Sequence, residues 1–357
     1  MNTKHTPFFL TCRAESAAVR ARSVLSVRTP RFIAAVIALC VIGIVQPPDV
    51  QGAAVNYTDK LGRNVVVEAP VKRAIIFSTY EMIPALGIWD QVVAVGRHAY
   101  QNDLMRAVRP DIAQEYVSAG SGMDINIEAV LKAKPDIVIT WSIKPELVRY
   151  LEQRGLNVAA VHPESIEELH EAIRFHGVAF GREARARQVI AESKRMFSGI
   201  VEKTGAVPPE LRKKVLWLSS KPTTVAGGSA MYDDLIKAIG AVNPAAAYGQ
   251  RYVGVSMERI LAWNPDVIFI WGNAKYGVDD VLSNPQWRHV KAVKSGRVYK
   301  APEWSTLSPR AAATALVMAW QVYPEKFSAA GVKNELDVFH RRVFGVPYTG
   351  VGKSPVQ

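Results

Sequence analysis

From Val55 onward the apolar residues fall into short, nearly unbroken runs, and the stretches between them carry apolar positions at helical spacing. Residues 74–77, 92–95, 136–140 and 157–161 form the first series of runs. Strands apolar on both faces belong to parallel sheets covered on both sides by helices. A second series follows at 215–218, 267–270 and 297–299. Between the runs, patterns such as Ile127, Val130 and Leu131 behind a polar start at 124–126 predict helices. Residues 56–68 alternate about Leu61-Gly62-Arg63, which predicts an antiparallel hairpin ahead of the first series. Strands alternating with helices build βαβ units, so the fold class is α/β with two doubly wound lobes.

A different object separates the two series. Ile166, Leu169, Ile173, Phe180, Val189, Ile190, Phe197 and Ile200 recur at helical spacing. Ser165 with Glu168 forms a capping box at the start, and Gly205-Ala206-Val207-Pro208-Pro209 ends the pattern. Read as a single long helix, this segment runs over about 50 Å at ~1.5 Å per residue, enough to join two lobes. Gly181 and Ala184-Arg185-Ala186 are its weak places. The expected organisation is a signal peptide at 1–52, an N-terminal lobe at 53–164, the connecting helix at 165–204, a C-terminal lobe at 205–345 and a tail at 346–357.

The chain also repeats itself. Ile127-Glu128-Ala129-Val130-Leu131-Lys132-Ala133-Lys134-Pro135-Asp136 leads into one apolar run, and Met257-Glu258-Arg259-Ile260-Leu261-Ala262-Trp263-Asn264-Pro265-Asp266 leads into another. Each copy reads as a helix, an X-Pro-Asp turn and a buried strand running to an aromatic, Trp141 or Trp271. Two similar units imply two similar lobes facing each other across a cleft, and clefts between domains are where small ligands bind.

Composition changes this picture mainly at the N-terminus. Arg20, Arg22, Arg28 and Arg31 precede an uncharged apolar run at 32–45, which Gln46-Pro47-Pro48 terminates ahead of the small residues Gly52-Ala53-Ala54. This is the layout of an exported chain's signal peptide, and the run is short for a membrane span. It predicts a periplasmic protein with a mature N-terminus between Gly52 and Val55. Both cysteines, Cys12 and Cys40, lie in the segment to be removed, so the mature chain carries no thiol and no disulfide. Removing six Lys/Arg and two Asp/Glu with residues 1–52 lowers the net charge from +12 to +8.

Several chemistries are disfavoured. Basic residues are scattered singly among acids, with no basic stripe interleaved with aromatics, so nucleic acid is not an expected partner. The chain has no P-loop and no G-x-S-x-G, and its mature part has no cysteine nucleophile, so an α/β cleft enzyme is the weaker reading. His98, His162, His170, His176, His289 and His340 form no H-x-H or His-rich loop, which argues against a bare-metal binder. No motif calls for an intrinsic cofactor.

At these residues the chain resembles the class III periplasmic binding proteins that serve iron-siderophore, haem and cobalamin ABC importers. The resemblance rests on Tyr57-Thr58-Asp59-Lys60-Leu61-Gly62-Arg63 with Pro70 and Arg73, Ala85-Leu86-Gly87, the paired Glu-to-Pro-Asp repeats, Gly228 with Asn243, and the run from Trp287 to Tyr299. It implies two lobes joined by one rigid helix with limited hinge motion, and a monomer that binds a metal chelate. An iron complex such as a ferric siderophore comes first among these; haem, cobalamin and nickel chelates fit the same scaffold. It also implies docking on an ABC permease dimer through one glutamate per lobe, which here are Glu128 and Glu258. Both acids also suit a helix N-terminus.

Ligands of open α/β sheets sit beyond the carboxyl ends of the strands. That rule nominates Tyr80 and Glu81, Arg97 and His98, Trp141, Trp271 and Trp304 as ligand-binding residues, with Tyr252 ahead of the repeated helix. The resemblance to cobalamin binders adds weight to Trp141, Tyr252 and Trp304. Rings at several strand ends suit a large flat or apolar ligand, because Tyr and Trp bury area yet keep a polar tip. Tyr80 and His98 are the candidate metal ligands by residue type.

Overall fold

The computed structural model describes residues 53–351; the predicted signal segment lies outside them. Ala53–Thr58 (β1) pairs antiparallel with Asn64–Ala69 (β2), Tyr57 facing Val65. Asp59 builds the turn. Its carboxylate accepts the Leu61 and Arg63 N–H groups, each at 3.0 Å, and pairs with the Arg63 guanidinium. The hairpin therefore forms as its alternation predicts, with Val65 and Val67 turned inward.

The first series becomes a parallel sheet. Its strands are Ala74–Ile76 (β3), Val92–Val95 (β4), Val117–Ser118 (β5), Ile137–Thr140 (β8) and Val158–Ala160 (β9), in the order β5-β4-β3-β8-β9. Gly120–Ser121 (β6) and Asp124–Ile125 (β7) make a small antiparallel pair beside it. The second sheet contains Val215–Leu218 (β10), Thr224–Ala226 (β11), Tyr252–Gly254 (β12), Val267–Ile270 (β13) and Val298–Lys300 (β14), in the order β12-β11-β10-β13-β14. Here β10, β13 and β14 run parallel, but β11 and β12 turn antiparallel onto one edge. Neither β11 nor β12, each three residues long, has the continuous apolar run that marks a doubly covered strand, and β5 is two exposed residues long. That is why the apolar pattern missed all three.

The internal repeat holds at the level of single hydrogen bonds. Asn126 caps helix Ile127–Ala133 by accepting the Ala129 N–H at 3.0 Å, and Ser256 caps helix Met257–Trp263 by accepting the Arg259 N–H at 3.3 Å. Both helices end on a left-handed residue, Lys134 (φ 45°) and Asn264 (φ 47°), followed by Pro and Asp. Asp136 then accepts the Lys72 and Arg73 N–H groups at 2.8 and 2.9 Å, while Asp266 accepts the Lys214 N–H at 2.8 Å. Each aspartate thus ties a helix end to the start of the neighbouring strand, which sets the parallel registers Ala74 to Ile137 and Val215 to Val267.

The single connecting helix is corrected to a helical pair. Helix Ile166–Ala179 stops at Phe180, and helix Glu183–Thr204 turns back along it. Gly181 takes φ 65°, and the Arg182 N–H reaches back to the Gly177 carbonyl at 2.6 Å. Gly177 lies so close to the second helix that an added Cβ would sit 2.4 Å from that of Ala186. Lengths of about 21 and 33 Å replace the single long rod. The start was legible: Ser165 accepts the Glu168 N–H at 3.1 Å, although Glu168 returns its bond to the Glu164 N–H instead of closing the box on Ser165.

Helices Arg310–Val322 and Ala329–Phe344 pack on the second helix of this pair. One apolar core runs from Ile76 and Met82 through Ile173, Phe197 and Ile200 to Trp217, Phe269, Leu316 and Phe339. The lobes therefore share a core instead of hanging from one helix. The predicted tail also begins inside this core, with Tyr348 and Val351 each 1% exposed.

Candidate ligand-binding cleft

Between the sheets lies a cavity of about 1020 Å³, lined from both lobes. Tyr80 follows β3, His98 opens the short helix His98–Gln101 after β4, Trp141 follows β8 and His162 follows β9. Trp271 follows β13, the 301–307 loop follows β14, and Tyr252 stands on edge strand β12. Trp141 is seated on Gly122, where an added Cβ would lie 2.0 Å from its ring, and His98 meets it edge-on at 6.0 Å. Gly122 is thus the one residue type that leaves room for the indole. Met123 and Ile143 add exposed apolar surface from the same lobe.

Of the eight residues nominated from the sequence, Tyr80, His98, Trp141, Tyr252, Trp271 and Trp304 line the cavity; Glu81 and Arg97 do not. Glu81 is 0% exposed, because its position leads into helix Met82–Leu86 and turns it into the interior. There its carboxylate accepts from Asn102 at 2.8 Å and Arg310 at 3.1 Å, and also from the Ser308 hydroxyl. Arg97 turns outward to Ser121 at 3.3 Å and Asp124 at 3.8 Å. Trp304 reaches the cavity but is only 6% exposed; Arg310 lies 4.7 Å from its ring and Tyr348 packs edge-on at 6.1 Å. Its indole N–H donates to Asp103 at 3.2 Å.

Charge in the cleft is largely spoken for. Asp103 chelates Arg310 through bonds of 2.7 and 2.9 Å; burial pushes its pKa up, but the guanidinium wins and holds it below the usual range. In Glu81 burial wins, and its pKa is raised despite Arg310. Glu164 pairs with Lys60 at 2.9 Å and with Arg251, joining the N-terminal hairpin to the second lobe. Lys300 donates to the Ala274 and Tyr276 carbonyls at 2.9 and 3.1 Å. Arg106 lines the cavity with no ion-pair partner among the described residues. Burial, and then the charge of Glu81, raises the Tyr80 phenol, so it presents a neutral hydroxyl. Burial, and then Arg97, lowers His98, which favours neutral imidazole.

No group of three His, Cys, Asp or Glu side chains is placed to hold a metal ion among the described residues. Sequence reasoning missed Asp103, Arg106, Tyr232 and Arg251 on the cavity wall. Arg251 was within reach as the neighbour of Tyr252. Arg106 lies on helix Asp103–Val108, beyond the strand ends, and Tyr232 is stacked on Trp217 at 3.7 Å by the fold of the second lobe.

A cleft of this kind between two α/β lobes suits a solute-binding protein, and the chain belongs to the periplasmic binding protein family, whose description it matches over residues 77–303. It is the substrate-binding component of an ABC transporter, not an enzyme. Molybdate-binding protein MolA of Haemophilus influenzae is 23% identical over 322 residues, spanning 82% of this chain and 91% of that protein. The Fe(3+)-citrate-binding protein YfmC of Bacillus subtilis is 26% identical over 249 residues, spanning 68% and 76%. Among solved structures, Helicobacter pylori CeuE in a nickel–histidine complex superposes with a TM-score of 0.75 at 25% identity, covering 84% of this chain and 98% of CeuE.

Proposed function

We propose that this protein binds an organic metal chelate, a ferric siderophore or related iron complex, and delivers it to an ABC permease from the periplasm. The observation that carries the reading is the cavity itself. Its roughly 1020 Å³ lie at the upper end of pockets for drug-sized ligands, and rings from both lobes face it. A ligand of that size brings its own donor atoms, and its flat or apolar faces rest on Trp141, Trp271 and Tyr252. Tyr80 and His98 are the side chains in reach of an open coordination position. The ferric-citrate and nickel–histidine ligands named for YfmC and CeuE agree with this class. Glu128 and Glu258, both exposed in the first turn of matched helices, are the proposed permease contacts of a monomeric carrier.

Native mass spectrometry with an absorption spectrum, on protein purified from its own periplasm, tests the reading. A retained ferric complex supports it. A retained haem or corrinoid replaces the iron complex by another chelate, and a bare oxyanion overturns it.

A further inference from the structure

The three buried histidines are hydrogen-bonded, and half-buried His162 is the exception. His170 bonds Ser193 at 3.1 Å, His176 bonds Thr79 and the Ala172 carbonyl at 2.8 and 2.7 Å, and His340 bonds the Leu336 carbonyl at 2.8 Å. His162 makes no hydrogen bond through either ring nitrogen, yet it lines the cavity. Its Nδ1 is sealed from solvent, whereas Nε2 keeps an accessible face. An unpartnered polar group in an enclosed place costs stability and calls for an explanation.

The cheaper arrangement follows from the geometry. A proton on Nδ1 would leave an enclosed N–H with no acceptor. A proton on Nε2 leaves only a lone pair there and aims an N–H at the cleft. Arg251, close enough for its charge to act on His162, spends its Nε on Glu164 and leaves both Nη groups without a partner. Burial first, then Arg251 and Lys60 against Glu164, hold the ring neutral, with a pKa of about 4.

We propose that His162 is a specificity-determining ligand contact whose Nε2–H, together with the Arg251 fork, receives an oxygen-bearing anionic face of the bound chelate. The inference rests on the chelate reading. It gives the cleft-facing Nε2–H a partner that the protein does not supply, while the sealed Nδ1 keeps only a lone pair.

His162→Phe deletes the donor and keeps a ring, while His162→Gln restores an amide N–H at similar reach. The unliganded His162→Phe protein is expected to melt at or above the wild-type temperature, because an orphan polar group has been removed. Ferric citrate, the ferric catecholate complex, haemin and nickel–histidine are titrated by tryptophan fluorescence against all three proteins. For the probe that wild type binds best, His162→Phe should weaken affinity roughly ten- to hundredfold and His162→Gln should recover most of it, as expected for a hydrogen bond to a charged group. Unchanged affinity in His162→Phe, or a melting temperature many degrees lower, overturns the proposal and leaves the chelate reading standing. If wild type binds none of the probes, the chelate reading fails and takes this inference with it.

Discussion

Replacing Arg310 with Met removes the cation that sits between Glu81 and Asp103 in the sealed floor of the cleft. Arg310 is 0% exposed, and its guanidinium donates to Glu81 at 3.1 Å and to Asp103 at 2.7 and 2.9 Å. Without it the sealed Glu81 carboxylate and the partly exposed Asp103 carboxylate are left together, holding only bonds from Asn102, Ser308, the Leu104 N–H and the Trp304 indole. Breaking a buried pair from one side costs about 3–5 kcal/mol. Met fills much of the volume, and the Arg310 Nε has no partner to lose, so the lower half of that range is expected. Replacing all three charged groups, as Arg310→Met with Glu81→Gln and Asp103→Asn, should restore most of the loss, because a neutral set leaves no unpaired charge. Urea unfolding midpoints at unchanged slope measure both variants. Acid should shrink the single variant's deficit, since Glu81 already has a raised pKa and takes a proton readily once its cation is gone. A single-variant loss below about 1 kcal/mol, or a triple variant no better than the single, would refute this account of the floor.

Three other outcomes are expected. Trp141→Ala should cost about 1–3 kcal/mol of ligand affinity with little change in unliganded melting, whereas buried Trp304→Ala should lose about 3–5 kcal/mol of stability; the opposite pattern in titration and calorimetry would reverse their assignments. Glu128→Arg with Glu258→Arg should leave ligand affinity intact and abolish uptake, and normal uptake would reduce both glutamates to helix-starting residues. His340 is held neutral by burial and by Arg310, with its pKa lowered from 6.5 to about 4. The unfolded chain takes that proton first, so stability falls as pH drops from 6.5 towards 4, by about 1.4 kcal/mol per pH unit for this one group. His340→Phe should flatten the acid limb of a melting-versus-pH curve by that slope, and an unchanged limb would count against it.

The central strands β3, β4, β8, β9, β10 and β13 could be placed from the sequence alone, because a strand buried on both faces has no position for a polar residue and so writes a continuous apolar run. The repeated helix, Pro-Asp turn and strand were equally legible, since capping, left-handed termination and the aspartate bond to a neighbouring strand are local chemistry. Strand ends then pointed to Tyr80, His98, Trp141 and Trp271 because side chains after parallel strands share one rim. Helical spacing around Gly181 looks the same whether a helix continues or doubles back. What decided it was the close approach of Gly177 to Ala186, a contact between two helices. The second sheet's antiparallel edge was hidden for a related reason, as β11 and β12 are three residues long each and β12 is half-exposed, so neither carries a run. Glu81 and Arg97 followed the same positional rule as their neighbours and still left the cleft. Where a charged side chain goes depends on the partner waiting for it, and Arg310 is more than two hundred positions along the chain from Glu81. Only the folded chain brings those two charges together, and only there does His162 stand out as the half-buried ring on the cavity wall with no hydrogen bond.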